Sequence, residues 1–148
     1  MSRRVLVLNG PNLGQLGTRE PEIYGRTTHD DLARACEQAG KELDLDVEVR
    51  QTDDEATYLG WLHDARSGVD ALVLNPAAWT HTSVAIRDAA AMLAVPYVEV
   101  HLSNPLAREE FRHTSFTASH AAGVVAGFGA DSYLLALRGL AARLQQPR

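Results

Sequence analysis

Five short apolar runs, each followed by a polar or helix-period segment, divide the chain, and that alternation leaves few folds open to it. Residues 4–9 (RVLVLN), 45–51, 70–75 (DALVLN), 96–101 (PYVEVH) and 123–127 (GVVAG) read as strands. The continuous apolar character of the first and third is what a parallel sheet covered on both faces requires. Thr28, with Asp30 and Asp31 behind it, is expected to cap a helix reaching about Leu43. Thr52-x-x-Glu55 has the form of a capping box, opening a helix to about Arg66 with Tyr58, Leu59, Leu62 and Ala65 on its buried face. Thr82 or Ser83 starts a helix through Leu93. The last helix runs from about Ser132 to Gln145, with Tyr133, Leu137, Leu140 and Leu144 on one stripe.

Strands alternating with helices mean parallel pairing through right-handed crossovers. The pattern predicts an α/β fold: a flavodoxin-like, doubly wound, five-stranded parallel sheet in the order 2-1-3-4-5. A length of 148 residues suits one domain, 1–148. Residues 10–25 are rich in Gly and Pro and exceed an ordinary connection, so a lid loop is expected there. Ligands in such sheets bind beyond the carboxyl ends of the strands, where the strand order reverses. That rule selects residues 9–12, 75–81 and 101–104.

Composition narrows the partners. At 45% hydrophobic and 22% charged residues, the chain can fill a core. No stretch approaches the roughly 18 apolar residues of a membrane span, and the short run at 5–8 reads as a strand and not as a signal peptide. A cytoplasmic protein with no membrane partner is expected. A net charge of −5 argues against a nucleic-acid partner. The one cysteine, Cys36, sits at helical spacing among Leu32, Ala35, Ala39 and Leu43, which fits core packing and excludes an internal disulfide. The six histidines are scattered without a close pair, so no metal site is expected.

The strand ends carry the chemistry. After the first strand come Asn9 and Asn12, then Arg19 and Tyr24 in the loop. A tyrosine of reference pKa ~10 is a poor base, but a guanidinium beside it favours the phenolate. The pair therefore reads either as a proton-abstracting phenolate with its activator or as a surface arginine and a loop anchor. After the third strand, Asn75, His81 and Ser83 crowd a helix N-terminus, which favours anions and equally accommodates plain capping. On the fourth strand, Glu99 and His101 lie two apart and share a face. A carboxylate beside an imidazole orients it and favours its protonated form, which suits a general acid; a buried ion pair is the plainer alternative. The charge cluster at 108–113 (REEFRH) reads as a solvated face from which Arg112 could return to the strand ends.

Other chemistries lack their residues. There is no Gly-x-x-x-x-Gly-Lys-Ser/Thr loop and no Gly-x-Gly-x-x-Gly fingerprint, nor a Gly-x-Ser-x-Gly elbow. Asn9 and Asn75 stand where a phospho-accepting receiver of this topology carries acids. The only lysine, Lys41, lies in a helix far from the strand ends, which disfavours a Schiff base.

The segments LNGPNL, LGTREPEIYG, NPAAWTHTSVAIRDA, EVHLSN and REEFRHTS together resemble the type II 3-dehydroquinate dehydratases, in family order and spacing over nearly the whole chain. The resemblance implies dehydration of 3-dehydroquinate to 3-dehydroshikimate in the shikimate pathway, by anti elimination through an enolate. It implies neither metal nor cofactor, and a homo-oligomer, a dodecamer built as a tetramer of trimers. By the same resemblance, Tyr24, activated by Arg19, takes the C2 proton. Asn12 positions a water that stabilises the enolate. His101, oriented by Glu99, protonates the departing hydroxyl. Asn75 and the backbone at Leu102 and Ser103 hold the substrate carboxylate, and His81 and Arg112 bind ring hydroxyls. Asp88 matches a position that reaches the site of a neighbouring subunit.

The chain departs from the family pattern in its first loop, where Gly14 replaces a second asparagine and Gln15 an apolar residue. Gly14 is expected to loosen the lid. The family's Gln-Ser-Asn segment is Gln51-Thr52-Asp53 here, with Asp53 still able to cap a helix, and Trp79 stands where tyrosine is common. The altered loop motivates an alternative, a paralogue acting on a related cyclic hydroxy-keto acid. A flavin-holding module of the same fold is a third reading.

Overall fold

Arg3–Asn9 (β1), Leu45–Gln51 (β2), Ala71–Asn75 (β3), Tyr97–His101 (β4) and Gly123–Ala126 (β5) form one all-parallel sheet in the order β2-β1-β3-β4-β5. This is the flavodoxin-like order expected from the sequence. The computed structural model describes residues 2–18, 20–24 and 26–145, and of Pro21 and Tyr24 the backbone alone. The helices are Pro21–Tyr24 (α1), His29–Glu42 (α2), Glu55–Asp64 (α3), Val84–Ala91 (α4) and Asp131–Leu144 (α5).

Alternation along the central strands builds two cores. Val5, Val7, Val73, Val98 and Val100 pack with Leu32 and Cys36 of α2 and Leu137 and Leu140 of α5. Leu6, Leu8, Leu72 and Leu74 pack with Tyr58 and Leu62 of α3 and Ile86 of α4. Each fully buried side chain of this size contributes about 1.5–3 kcal/mol relative to exposure. Cys36 is wholly buried, and burial pushes its thiol up to about 12, so it is a packing residue and not a nucleophile. No helix among the described residues is long and apolar enough to cross a membrane.

Caps set the helix starts, with one correction to the expected pattern. Thr28 and Asp31 exchange hydrogen bonds at 3.1 Å as a capping box for α2. Ser83, not Thr82, caps α4, its Oγ accepting from Ile86 N–H at 3.0 Å. At α3 the capping box expected from Thr52 and Glu55 does not form. Asp54 is the cap, accepting from Ala56 N–H at 3.3 Å, and Thr52 Oγ1 instead accepts from Asp54 N–H at 3.0 Å. Asp53, expected to be able to cap, is taken by a longer-range bond described below. The 10–25 stretch holds a 3-10 turn at Leu13–Gln15 as well as α1, and Leu13 and Leu16 anchor its first part in the core.

Candidate active site

Parallel pairing brings the carboxyl ends of β1, β3 and β4 side by side, with Asn9 in register with Asn75. The chain leaves β1 tightly against the next connection. Gly10 N–H donates to Asn75 O at 2.9 Å, and a Cβ on Gly10 would sit 2.5 Å from Pro76 O, a clash with backbone that only glycine avoids.

Over these ends lies a cavity of about 260 Å³. Asn12, Asn75, His81 and His101 line it, as do Leu102, Ser103 and Arg112. These are seven of the eleven residues singled out from the sequence. Glu99 stands behind His101. Asp88 lies exposed on α4, paired with Arg87 at 2.9 Å, and does not line the cavity of its own chain. Arg19 lies outside the described residues, and so does the Tyr24 side chain.

The imidazoles are fixed by their partners. His101 Nε2 donates to Glu99 Oε2 at 3.0 Å, since a carboxylate only accepts. His81 Nδ1 donates to Thr114 O at 2.8 Å for the same reason. Among the described residues, Nδ1 of His101 and Nε2 of His81 have no hydrogen-bond partner. The rings stack with centroids 6.4 Å apart and 18° between planes.

Glu99 is 1% exposed, and its carboxylate is held by two residues that the sequence reading missed. Ser115 Oγ donates to it, with its oxygens at 2.8 and 2.9 Å, and Thr117 Oγ1 donates to Oε1. Burial pushes this carboxyl up. The hydrogen bonds from His101 and Thr117, the His101 charge and the Ser115 hydroxyl outweigh burial and hold it below the ordinary glutamate value. A depressed folded value means that Glu99 adds stability above the unfolded pKa, and that this is lost as pH falls through the folded one. Removing both hydroxyls in a Ser115→Ala/Thr117→Val double variant leaves burial less opposed. Its acid-unfolding midpoint, followed by circular dichroism, is expected at higher pH than in the parent; an unmoved midpoint would show that the hydroxyls do not hold the charge.

Arg108 was also missed. Its Nη1 donates to Ser103 Oγ at 3.2 Å, and with Arg112 it brings two guanidinium groups to the cavity wall. Arg112 Nε is held by Glu109 at 3.1 Å. The 108–113 cluster is thus only partly a solvated face. None of the described residues lining the cavity is a carboxylate, so the cavity is suited to a small anion. Among the described residues, no group of three or more His, Cys, Asp or Glu could hold a metal ion.

Asn12 sits at the lip in left-handed backbone, φ 69°. Its N–H donates to Asp53 Oδ1 at 2.8 Å, and Gln51 Nε2 reaches both Asp53 Oδ1 and Gly10 O at 3.1 Å. This is where Asp53 is used in place of capping. Gly14 lies beside the same glutamine: a Cβ there would come within 2.9 Å of Gln51 Oε1, and the side chain would have to shift. The departures at 14 and 53 are both neighbours of Gln51, Asp53 through a hydrogen bond and Gly14 by proximity.

Comparison with known proteins agrees on one family. The family model described as Dehydroquinase class II matches residues 3–141. A 3-dehydroquinate dehydratase of Salinispora tropica is 61% identical over 140 residues, covering 95% of this chain and 98% of the relative. The 3-dehydroquinate dehydratase 2 of Pseudomonas aeruginosa is 52% identical over 145 residues, covering 98% of each. The crystal structure of a type II dehydroquinase from Propionibacterium acnes superimposes with a TM-score of 0.91 at 56% identity, over 96% of this chain and 98% of that one.

Proposed function

Because the chain belongs to the class II dehydroquinase family, we propose that it dehydrates 3-dehydroquinate to 3-dehydroshikimate in the shikimate pathway, by anti elimination through an enolate. The observation that carries the reading is the buried Glu99–His101 pair opening onto a cavity walled by Arg108 and Arg112. An acid with a fixed counter-charge beside an anion-binding wall is what such an elimination needs.

The steps are proton transfers. Tyr24, as the phenolate stabilised by Arg19, removes the C2 proton, which the neighbouring ketone has already acidified. The electron pair moves onto the ketone oxygen, and Asn12 holds the water that stabilises this enolate. Stabilisation of a developing oxyanion is usually the largest single contribution to such catalysis. The enolate then expels the C1 hydroxyl, which leaves as water with a proton from His101. Since Nε2 of that ring is committed to Glu99, a donor at Nδ1 makes the acid form an imidazolium, with the Glu99 carboxylate as counterion. Asn75 and the backbone N–H groups of Leu102 and Ser103 hold the carboxylate, and His81 and Arg112 take ring hydroxyls.

In this reading, residues 10–25 close over the substrate as a lid, and Asp88, turned away from its own cavity, serves a neighbouring subunit. The assembly is a dodecamer of four trimers, working in the cytoplasm without metal or cofactor.

The test is ultraviolet absorbance at the enone band after adding the protein to 3-dehydroquinate, with and without a chelator. A rise indifferent to chelator is expected. No rise from folded protein would overturn the assignment, and a rise only with a related cyclic hydroxy-keto acid would make the chain a paralogue.

A further inference from the structure

Under the cavity floor runs a series of hydrogen bonds whose direction is fixed from one end. Ala77 N–H, in left-handed backbone at φ 54°, lies 3.1 Å from Asn75 Oδ1. A backbone N–H only donates, so the amide oxygen of Asn75 is the atom on that side. Its Nδ2 is then the atom 2.8 Å from the Tyr133 hydroxyl. An amide nitrogen also only donates. The phenol oxygen therefore accepts from Asn75 and spends its own proton on Asn9 Oδ1, 2.7 Å away. With its oxygen so used, Asn9 turns Nδ2 to His29 Nε2 at 3.0 Å. That ring nitrogen must accept, so His29 is neutral and carries its proton on Nδ1.

Every link follows from the one before it. Asn9 and Tyr133 are fully buried and Asn75 nearly so, leaving no water to repair a reversed link. The far end is biased in the required direction: burial of His29 favours its neutral form, against the weaker opposing charge of Asp30. The chain spans four elements, from β3 through α5 and β1 to the first residue of α2.

The consequence appears at the cavity. Asn75 Nδ2 has two hydrogens, and Tyr133 takes one. The other is left for the cavity that Asn75 lines. A flipped amide would turn an acceptor toward an anion instead. We propose that Tyr133, Asn9 and His29 are positioning residues for Asn75, a directional hydrogen-bond chain that makes it a donor toward the substrate carboxylate. This rests on the reading of Asn75 as a substrate contact.

The test is steady-state kinetics with 3-dehydroquinate, on variants whose folding is checked by circular dichroism. Tyr133→Phe removes the middle link and is expected to raise KM roughly tenfold, the scale of one buried amide left unpaired, with kcat little changed, as for loss of uniform binding. His29→Leu, which removes the terminal acceptor, should raise KM in the same sense. His29→Gln, whose Oε1 can accept from Asn9, should restore it. Asn75→Ala should raise KM by itself, and adding Tyr133→Phe to it should raise KM no further, since both act through one contact.

Additive effects in that double variant, or equal KM values for His29→Leu and His29→Gln, would overturn the chain while leaving the Asn75 contact standing. An unchanged KM in Asn75→Ala would remove the contact itself and the proposal with it. If Tyr133→Phe does not fold, the two His29 variants decide alone.

Discussion

Tyr24→Phe is expected to lower kcat for dehydration by about 100- to 10,000-fold, the usual contribution of a positioned proton-transfer group, while substrate still binds. Phenylalanine differs from tyrosine only by lacking the phenolic oxygen, the atom proposed to take the C2 proton. The proposed binding residues, Asn75, His81 and Arg112, are left in place by the substitution. The two effects are separated by measuring kcat together with equilibrium binding of 3-dehydroquinate; a variant that turns over at near-parent rate would dismiss Tyr24 as the base. Arg19→Ala supplies the companion result. A guanidinium stabilises the phenolate, so its loss makes the phenol harder to ionise and moves the acid limb of the pH–rate profile to higher pH. An unmoved limb would take the activating role away from Arg19.

His101→Asn should cost a similar factor in kcat, about 100- to 10,000-fold, for a different reason. The parent ring is fixed at Nε2 by Glu99 and packed on His81, so its remaining nitrogen has one place to deliver a proton. Asparagine can still hydrogen-bond but has no proton to release near neutral pH. If the proposed acid is His101, any alkaline limb of the kcat profile should disappear along with the rate. If rate and limb both survive, His101 is not the acid.

Strand order was readable because its cause is local. A continuous apolar run at 70–75 between two helix-period segments admits little but a central parallel strand, and β3 is that strand. The Glu99–His101 contact was readable for the same kind of reason, as strand parity puts residues two apart on one face. The α3 cap was misread because Thr52 and Asp54 both fit a cap by sequence. Between them lies Asp53, which accepts from Asn12 N–H, 41 residues away, a contact no local pattern announces. Ser115, Thr117 and Arg108 escaped notice because they sit in an irregular stretch with no period to announce them. Tyr133 was correctly placed on the apolar stripe of the last helix, but periodicity reports where a ring is buried and says nothing about where its hydroxyl points.

That hydroxyl has a bearing on protein synthesis. Asn9 and Tyr133 touch across 124 residues of sequence. Domains assemble as the chain leaves the ribosome, N-terminal parts first, so β1 and β3 can meet long before α5 exists. In that interval two amides face one another at the floor of the future cavity with no phenol between them, and Asn75 is oriented by Ala77 N–H alone. A chain stalled before α5 thus holds Asn75 from one side only, and the second restraint on its amide arrives with the last helix translated.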